Sequence, residues 1–176
     1  MRSLVIYESL WGNTEQVAHA IAAGLGETFT VEVVEVSAAP AAPPDDMDLL
    51  VVGGPTHAFS MSRPDTRSEA VKRGASNTAP GPGIREWVAN LPTAIDGSPM
   101  ASFDTRVEKV RRLPGSAARK AGKLLRRLGY AQILDPQSFY VADVEGPLLD
   151  GELERSRVWG QRLGEAARGH RQARPR

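Results

Sequence analysis

The chain has 176 residues, 41% hydrophobic and 24% charged, which is enough for one α/β domain with a full core. It has no cysteine, which excludes disulfides, thiol catalysis and iron–sulfur ligation, and its three histidines leave no metal constellation. A formal net charge of +1 argues neither for nor against nucleic acid, and no apolar run approaches the ~20 residues of a membrane span. The start, one Arg ahead of a short strand-like run, does not read as a signal peptide. Partners are expected to be neither nucleic acid nor membrane, and the lack of cysteine fits a reducing cytoplasm, the expected location.

Residues 3–7 read as a short buried strand. Ser9-Leu10-Trp11-Gly12-Asn13-Thr14 follows, with Asn13 or Thr14 placed to cap the next helix. Val17, Ile21 and Leu25 recur on one helical face, and Gly26 stands where that helix should end. Strand, short polar loop and helix together make an anion site, because first-turn amides have no intrahelical partner and the helix dipole is positive there. Gly12 lets the backbone turn tightly against a phosphate, and the Ser9 and Thr14 hydroxyls can donate to its oxygens.

Phe29 to Val36 is rich in β-branched residues and reads as a second strand. Ala38 to Pro44 holds three prolines and four alanines, so an irregular connection is expected. Asp48 to Gly53 is apolar almost throughout, as a central parallel strand should be. From Gly54 to about Gly83 there is little periodicity, and a connection this long is either functional or disordered, with Ser68 to Arg73 able to form a helical turn or two. Ile84, Trp87, Val88 and Leu91 carry helical spacing, and Pro99 to Thr105 reads as the fourth strand.

Ser116 can cap a helix whose buried face is Ala117, Ala121, Leu124, Leu125 and Leu128. The other face holds Arg119, Lys120, Lys123, Arg126 and Arg127, either a solvated face or a surface for an acidic partner. Gln132 to Val141 reads as a fifth strand, with Pro136 marking an edge or a bulge. Asp150 can cap a last helix through about Ala167, with Leu153, Val158 and Leu163 inward. The expected organisation is one domain over residues 1–168, then a basic flexible tail over residues 169–176.

Five strands alternating with helices imply a parallel sheet with helices on both faces. Ligands then bind beyond the carboxyl ends of the strands, where strand order reverses. The loops that should converge there begin at Ser9, at Pro55 and at Asp104.

Two stretches carry a family resemblance. Ser9-x-x-Gly12-Asn13-Thr14, preceded by Tyr7-Glu8 and followed by Glu15, resembles the phosphate loop of flavodoxins. Val51-Val52-Gly53-Gly54-Pro55-Thr56-His57-Ala58-Phe59 resembles their loop after strand three. The resemblance implies a flavodoxin-like three-layer sandwich, with a five-stranded parallel sheet of order 2-1-3-4-5 and non-covalently bound flavin mononucleotide (FMN). It implies a cofactor site of Ser9, Leu10, Trp11, Gly12, Asn13 and Thr14 around the phosphate. Pro55, Thr56, His57, Ala58, Phe59, Asp104, Thr105 and Arg106 would lie near the ring. Trp11 and Phe59 are candidates to cover the ring faces.

The resemblance implies a tyrosine stacked on the outer ring face from the loop after strand four; Phe103 to Lys109 contains none, so that face is expected to be open. Arg63, Arg67, Lys72 and Arg73 place cations nearby, which would raise a flavin potential. The implied function is an electron carrier, with a redox partner protein or a small quinone-like substrate as its counterpart. The alternatives are an FMN-dependent NAD(P)H:quinone-type reductase and a flavin-less binding module of the same fold.

Overall fold

The computed structural model describes residues 1–75, 81–94 and 97–173. β1 (Arg2–Tyr7) leads through the Ser9–Gly12 turn into α1 (Asn13–Leu25), and β2 (Thr30–Glu35) returns beside β1. β3 (Leu49–His57) folds back as a hairpin onto the short β4 (Ser60–Met61). α2 (Pro64–Lys72) and α3 (Ile84–Ala89) precede β5 (Pro99–Val107). After α4 (Ala117–Arg127) come β6 (Ala131–Gln132), β7 (Gln137–Val141) and α5 (Glu152–Ala173).

β1 pairs in parallel with β2 and β3, β3 pairs in parallel with β5, and β5 pairs in parallel with both β6 and β7. The expected 2-1-3-4-5 order therefore holds, with the fifth strand in two pieces. The break falls at Pro136, whose missing N–H cannot join a ladder. Seven strands replace the expected five because of this split and the added hairpin strand β4.

Alternating residues fill two cores. Leu4, Ile6, Leu50, Val52 and Met100 pack under α3 and α4 with Ile84, Trp87 and Leu125. Val5, Tyr7, Val51, Ala101 and Phe103 pack under α1 and α5 with Val17, Ile21, Trp159 and Leu163. Phe103, Phe139 and Trp159 meet edge to face with ring centroids 6.0–6.4 Å apart.

Four expectations need correction. The 54–83 segment is not a structureless loop: β3 runs on to His57, the hairpin reaches Met61, and α2 occupies Pro64–Lys72. Residues 76–80 of it lie outside the described residues. β5 extends to Val107, so Asp104, Thr105 and Arg106 are strand residues and not a loop.

In α5, Leu163 is buried, but Leu153 and Val158 are 44% and 40% exposed. The inner face is built instead from Ser156, Gly160 and Gly164, with Trp159 and Ala167 beside them. α1 approaches so closely there that a Cβ on Gly24 would overlap the Arg157 carbonyl, and one on Gly160 that of Ile21. α5 also runs six residues beyond Ala167, so residues 169–173 are helical, while 174–176 lie outside the described residues. Among the described residues no helix is long and apolar enough to cross a membrane.

Candidate functional site: a cleft over the β1–α1 turn

Gly12 is the N-cap of α1, with φ +82°, and no side chain caps that helix. The expected caps are used elsewhere. Thr14 Oγ1 lies 2.7 Å from Thr105 Oγ1 on β5, and Asn13 Nδ2 donates to the Glu145 carbonyl at 3.1 Å. The first amides of α1 therefore keep no side-chain acceptor from within the helix, and the positive end of its dipole is uncovered. Ser9 Oγ and Trp11 Nε1 are buried beside them and have no hydrogen-bond partner among the described residues. Buried donors are nearly always satisfied, so two orphans at one turn indicate the place of an acceptor.

The carboxyl ends of β3 and β5 complete the site. Leu10, Trp11, Asn13, Thr14, Pro55, Thr56, His57, Thr105 and Arg106 surround a cleft of about 40 Å³ that opens over the turn. Val107, Val141 and Val144 close its other side. Ser9 and Gly12 belong to the turn beneath. Ala58 and Phe59 do not line the cleft: they form the tip of the β3–β4 hairpin, both at positive φ, and Phe59 is 46% exposed. The tip rests on Gly115, whose φ of +88° and missing Cβ let the Phe59 carbonyl approach.

The three titratable or charged groups at the strand ends differ in role. Asp104 is fully buried beneath the start of α4, where Ala118 N–H donates to it at 2.9 Å. Burial pushes its carboxyl above the ordinary range, against the pull of the Ser116, Ser138 and Thr56 hydroxyls around it. Asp104 thus anchors α4 and does not face the cleft. Arg106 is 6% exposed and lines the cleft; its guanidinium donates to the Val110 carbonyl at 2.6 Å and the Leu113 carbonyl at 3.3 Å, and Nε has no partner among the described residues. Burial and the Arg67 charge pull the His57 imidazole below its ordinary value, so it is neutral at pH 7.

Sequence reasoning missed two supports. Residues 142–146, after the last strand, cross the site and are tied down by Asn13 and by an Arg73–Glu145 ion pair at 3.2 Å. Their only sequence signal is the Gly-Pro turn that follows. The second is Glu8, 2% exposed, which accepts from Ser62 Oγ and from Ile84 N–H at 2.9 Å. Burial raises its carboxyl as well. Arg67 joins this network through Ser62 at 3.0 Å and Glu86 at 3.1 Å. The cations expected beside a ring are thus partly neutralised: Arg67 by Glu86 and Arg73 by Glu145.

A parallel 2-1-3-4-5 sheet with an open helix N-terminus after its first strand defines a flavodoxin-like α/β protein. The flavodoxin family model matches residues 5–71, the part that contains the β1–α1 turn and the β3 end. Among solved structures, a flavodoxin from the domain Archaea aligns over 96% of this chain and 99% of its own, with 19% identity and a TM-score of 0.63. Flavodoxin 2 from Bacillus cereus aligns over 94% of this chain and 99% of its own at 17% identity, with a TM-score of 0.64. A WrbA-like flavodoxin protein from Agrobacterium tumefaciens aligns over 96% and 98% at 16% identity, with a TM-score of 0.57. No curated protein matches the sequence. The chain therefore has the flavodoxin-like fold, and its residues 5–71 are similar in sequence to the flavodoxin family.

Proposed function

We propose that this chain binds FMN non-covalently over the β1–α1 turn and acts as an electron-transfer protein. The observation that supports this reading is the pair of orphaned donors, Ser9 Oγ and Trp11 Nε1, beside the uncapped start of α1. Neutral hydroxyls, an indole N–H and helix amides suit a phosphate dianion without any Lys or Arg in the turn. FMN, when bound, supplies reversible one- and two-electron chemistry that side chains lack.

The chain's own residues bind, orient and tune. Ser9, Thr14 and the first amides of α1 hold the phosphate end. Pro55 to His57 and Thr105 to Val107 receive the ring end, with the neutral His57 as a hydrogen-bonding group and not as a charge. The Arg106 cation in the cleft wall favours added negative charge next to it and so raises the potential. The phosphate bed is built, but the ring bay is tight. A cleft of about 40 Å³ is close to the ~30 Å³ share of one water, and ligand pockets run to roughly 300–1,000 Å³. Ring entry therefore requires Trp11, Val107 or Val144 to swing aside.

The absorbance spectrum of the purified full chain, followed by titration of the flavin-free chain with FMN and with riboflavin, tests the proposal. A yellow protein that binds FMN more tightly than riboflavin supports phosphate recognition at the turn. Equal affinity for the two, or no affinity, refutes it. Bleaching by NAD(P)H alone, with turnover on a quinone, would make the chain a reductase instead of a carrier.

A further inference from the structure

Residues 109–127 contain eight of the chain's 22 cations and none of its 21 acids. The rest of the chain therefore carries 14 cations against 21 acids, so a nearly neutral protein is sharply divided. Lys109, Arg111, Arg112, Arg119, Lys120, Lys123, Arg126 and Arg127 are all exposed. Only Arg111 has an ion-pair partner among the described residues, Glu108 at 3.0 Å.

This arrangement works against helix stability. Arg119, Lys123 and Arg127 follow one another at i, i+4 spacing, where like charges repel. Arg119 and Lys120 sit in the first turn of α4, at the positive end of its dipole, and that turn holds no acidic residue. α5 shows the usual alternative: Glu152 pairs with Arg155 and Glu154 with Arg157, acid before base, three residues apart. Arg126 and Arg127 in the last turn suit the dipole, but among the described residues no acidic side chain pairs with the cations of α4, so an external anion is the natural counterpart.

Two features say what kind. The cationic field borders the cleft: Arg106 and Val107 line it, residues 108–113 continue from them, and Ala117 N–H at the start of α4 bonds Thr56 of the cleft wall at 2.8 Å. Exposed apolar side chains stand at that border, Leu113 at 48% and Phe59 at 46%. Apolar anchors with surrounding charge are the make-up of a protein–protein interface, whereas nucleic-acid backbone binding needs only the charge. Insertion into a membrane is disfavoured because the apolar face of α4, Ala117, Ala121 and Leu125, is spent on the core.

We infer that the face formed by residues 109–113 and the outer side of α4 docks an acidic redox protein and brings its centre to the mouth of the cleft. The inference rests on the redox reading above for its purpose, though not for its chemistry. Electrostatic steering would speed encounter and weaken with salt.

The test uses the full chain, with and without FMN, and an acidic plant-type [2Fe–2S] ferredoxin as probe. Association is measured by calorimetry at about 20 and about 300 mM salt, where the Debye length shrinks well below ~30 Å. Binding should weaken at least tenfold at the higher salt. Lys120→Glu with Lys123→Glu should cost at least tenfold at low salt. Arg162→Glu with Arg168→Glu, the same charge change on α5, should change affinity less than threefold. Equal losses in both variants, no association, or tighter binding to duplex DNA or to phosphatidylserine vesicles would each overturn the inference. A flavin-free chain that binds the ferredoxin but never takes up FMN would instead sink the redox reading and leave this face standing. Circular dichroism of each variant excludes misfolding as the cause of a loss.

Discussion

Ser9 makes the sharpest single-residue case. Its hydroxyl is buried without a partner, a position that costs about 1–3 kcal/mol of desolvation. Ser9→Ala should therefore leave the flavin-free chain as stable or more stable, while weakening FMN binding. The two effects have opposite signs, and paired urea melts and FMN titrations on one preparation read both. Thr14→Ala should cost about 1.5–3 kcal/mol of FMN affinity, the range for a hydrogen bond to a charged acceptor. The Thr105 hydroxyl that Thr14 now meets would lose its partner too. Asp104 yields a pH signature. Because burial raises its carboxyl, the folded chain holds that proton more tightly than the unfolded chain does. The associated stability is full below the unfolded value, near ~3.9, and is lost as pH rises through the raised folded value. Asp104→Asn removes this loss while an amide oxygen still accepts from Ala118 N–H. Its stability relative to wild type should climb as pH rises above about 4. A flat difference in urea midpoints would place the carboxyl at its ordinary value. The turn residues were legible because glycine and hydroxyls at fixed spacing have one common use. Asp104 and Arg106 were legible as neighbours of the site but not in role: they share one face of β5, and depth along the strand separates them, Asp104 under the start of α4 and Arg106 at the carboxyl end beside the cleft.

At the scale of elements, the helix seam and the hairpin carry the tests. α5 meets α1 through Ser156, Gly160 and Gly164, a seam that hydrophobic periodicity does not register, because small residues score as neutral while exposed Leu153 and Val158 score as core. Gly160→Ala should push the helices apart and destabilise the chain by about 1–3 kcal/mol, the usual cost of overpacking. The denaturant midpoint would show it, and an unchanged midpoint would mean the seam has slack. The β3–β4 hairpin places Ala58 at φ +46°, where an L residue pays roughly 1–2 kcal/mol. Ala58→Gly should recover part of that, about 0.5–1 kcal/mol after glycine's larger unfolded-state entropy. The hairpin itself was hidden in the sequence: Thr56-His57-Ala58-Phe59-Ser60 has no Asn-Gly or Asp-Gly to mark its turn.

For the molecule as a whole, the parallel sheet with helices on both faces followed from alternation and from apolar central strands, while the strand order followed from the resemblance to flavodoxins. Where the fold departs from expectation, local chemistry decides: Pro136 interrupts the last strand, and β3 overruns its apolar segment by pairing Gly54 and Pro55 with Asp104 and Thr105. The narrow cleft has a kinetic consequence. Because the ring end must displace packed side chains, FMN should associate more slowly than the ~10⁵–10⁷ M⁻¹s⁻¹ typical of protein association. Stopped-flow quenching of flavin fluorescence would show this, and Val144→Ala should speed it. The uneven spread of charge also bears on handling. With its cations gathered on one side and a surplus of acids elsewhere, the chain should be retained at neutral pH on both cation- and anion-exchange resins, despite a net charge near zero. The same asymmetry lets the basic side of one molecule meet the acidic side of the next, an open-ended head-to-tail contact that need not close into a ring. Concentrated solutions should therefore turn cloudy as salt is dialysed away and clear again when it is restored.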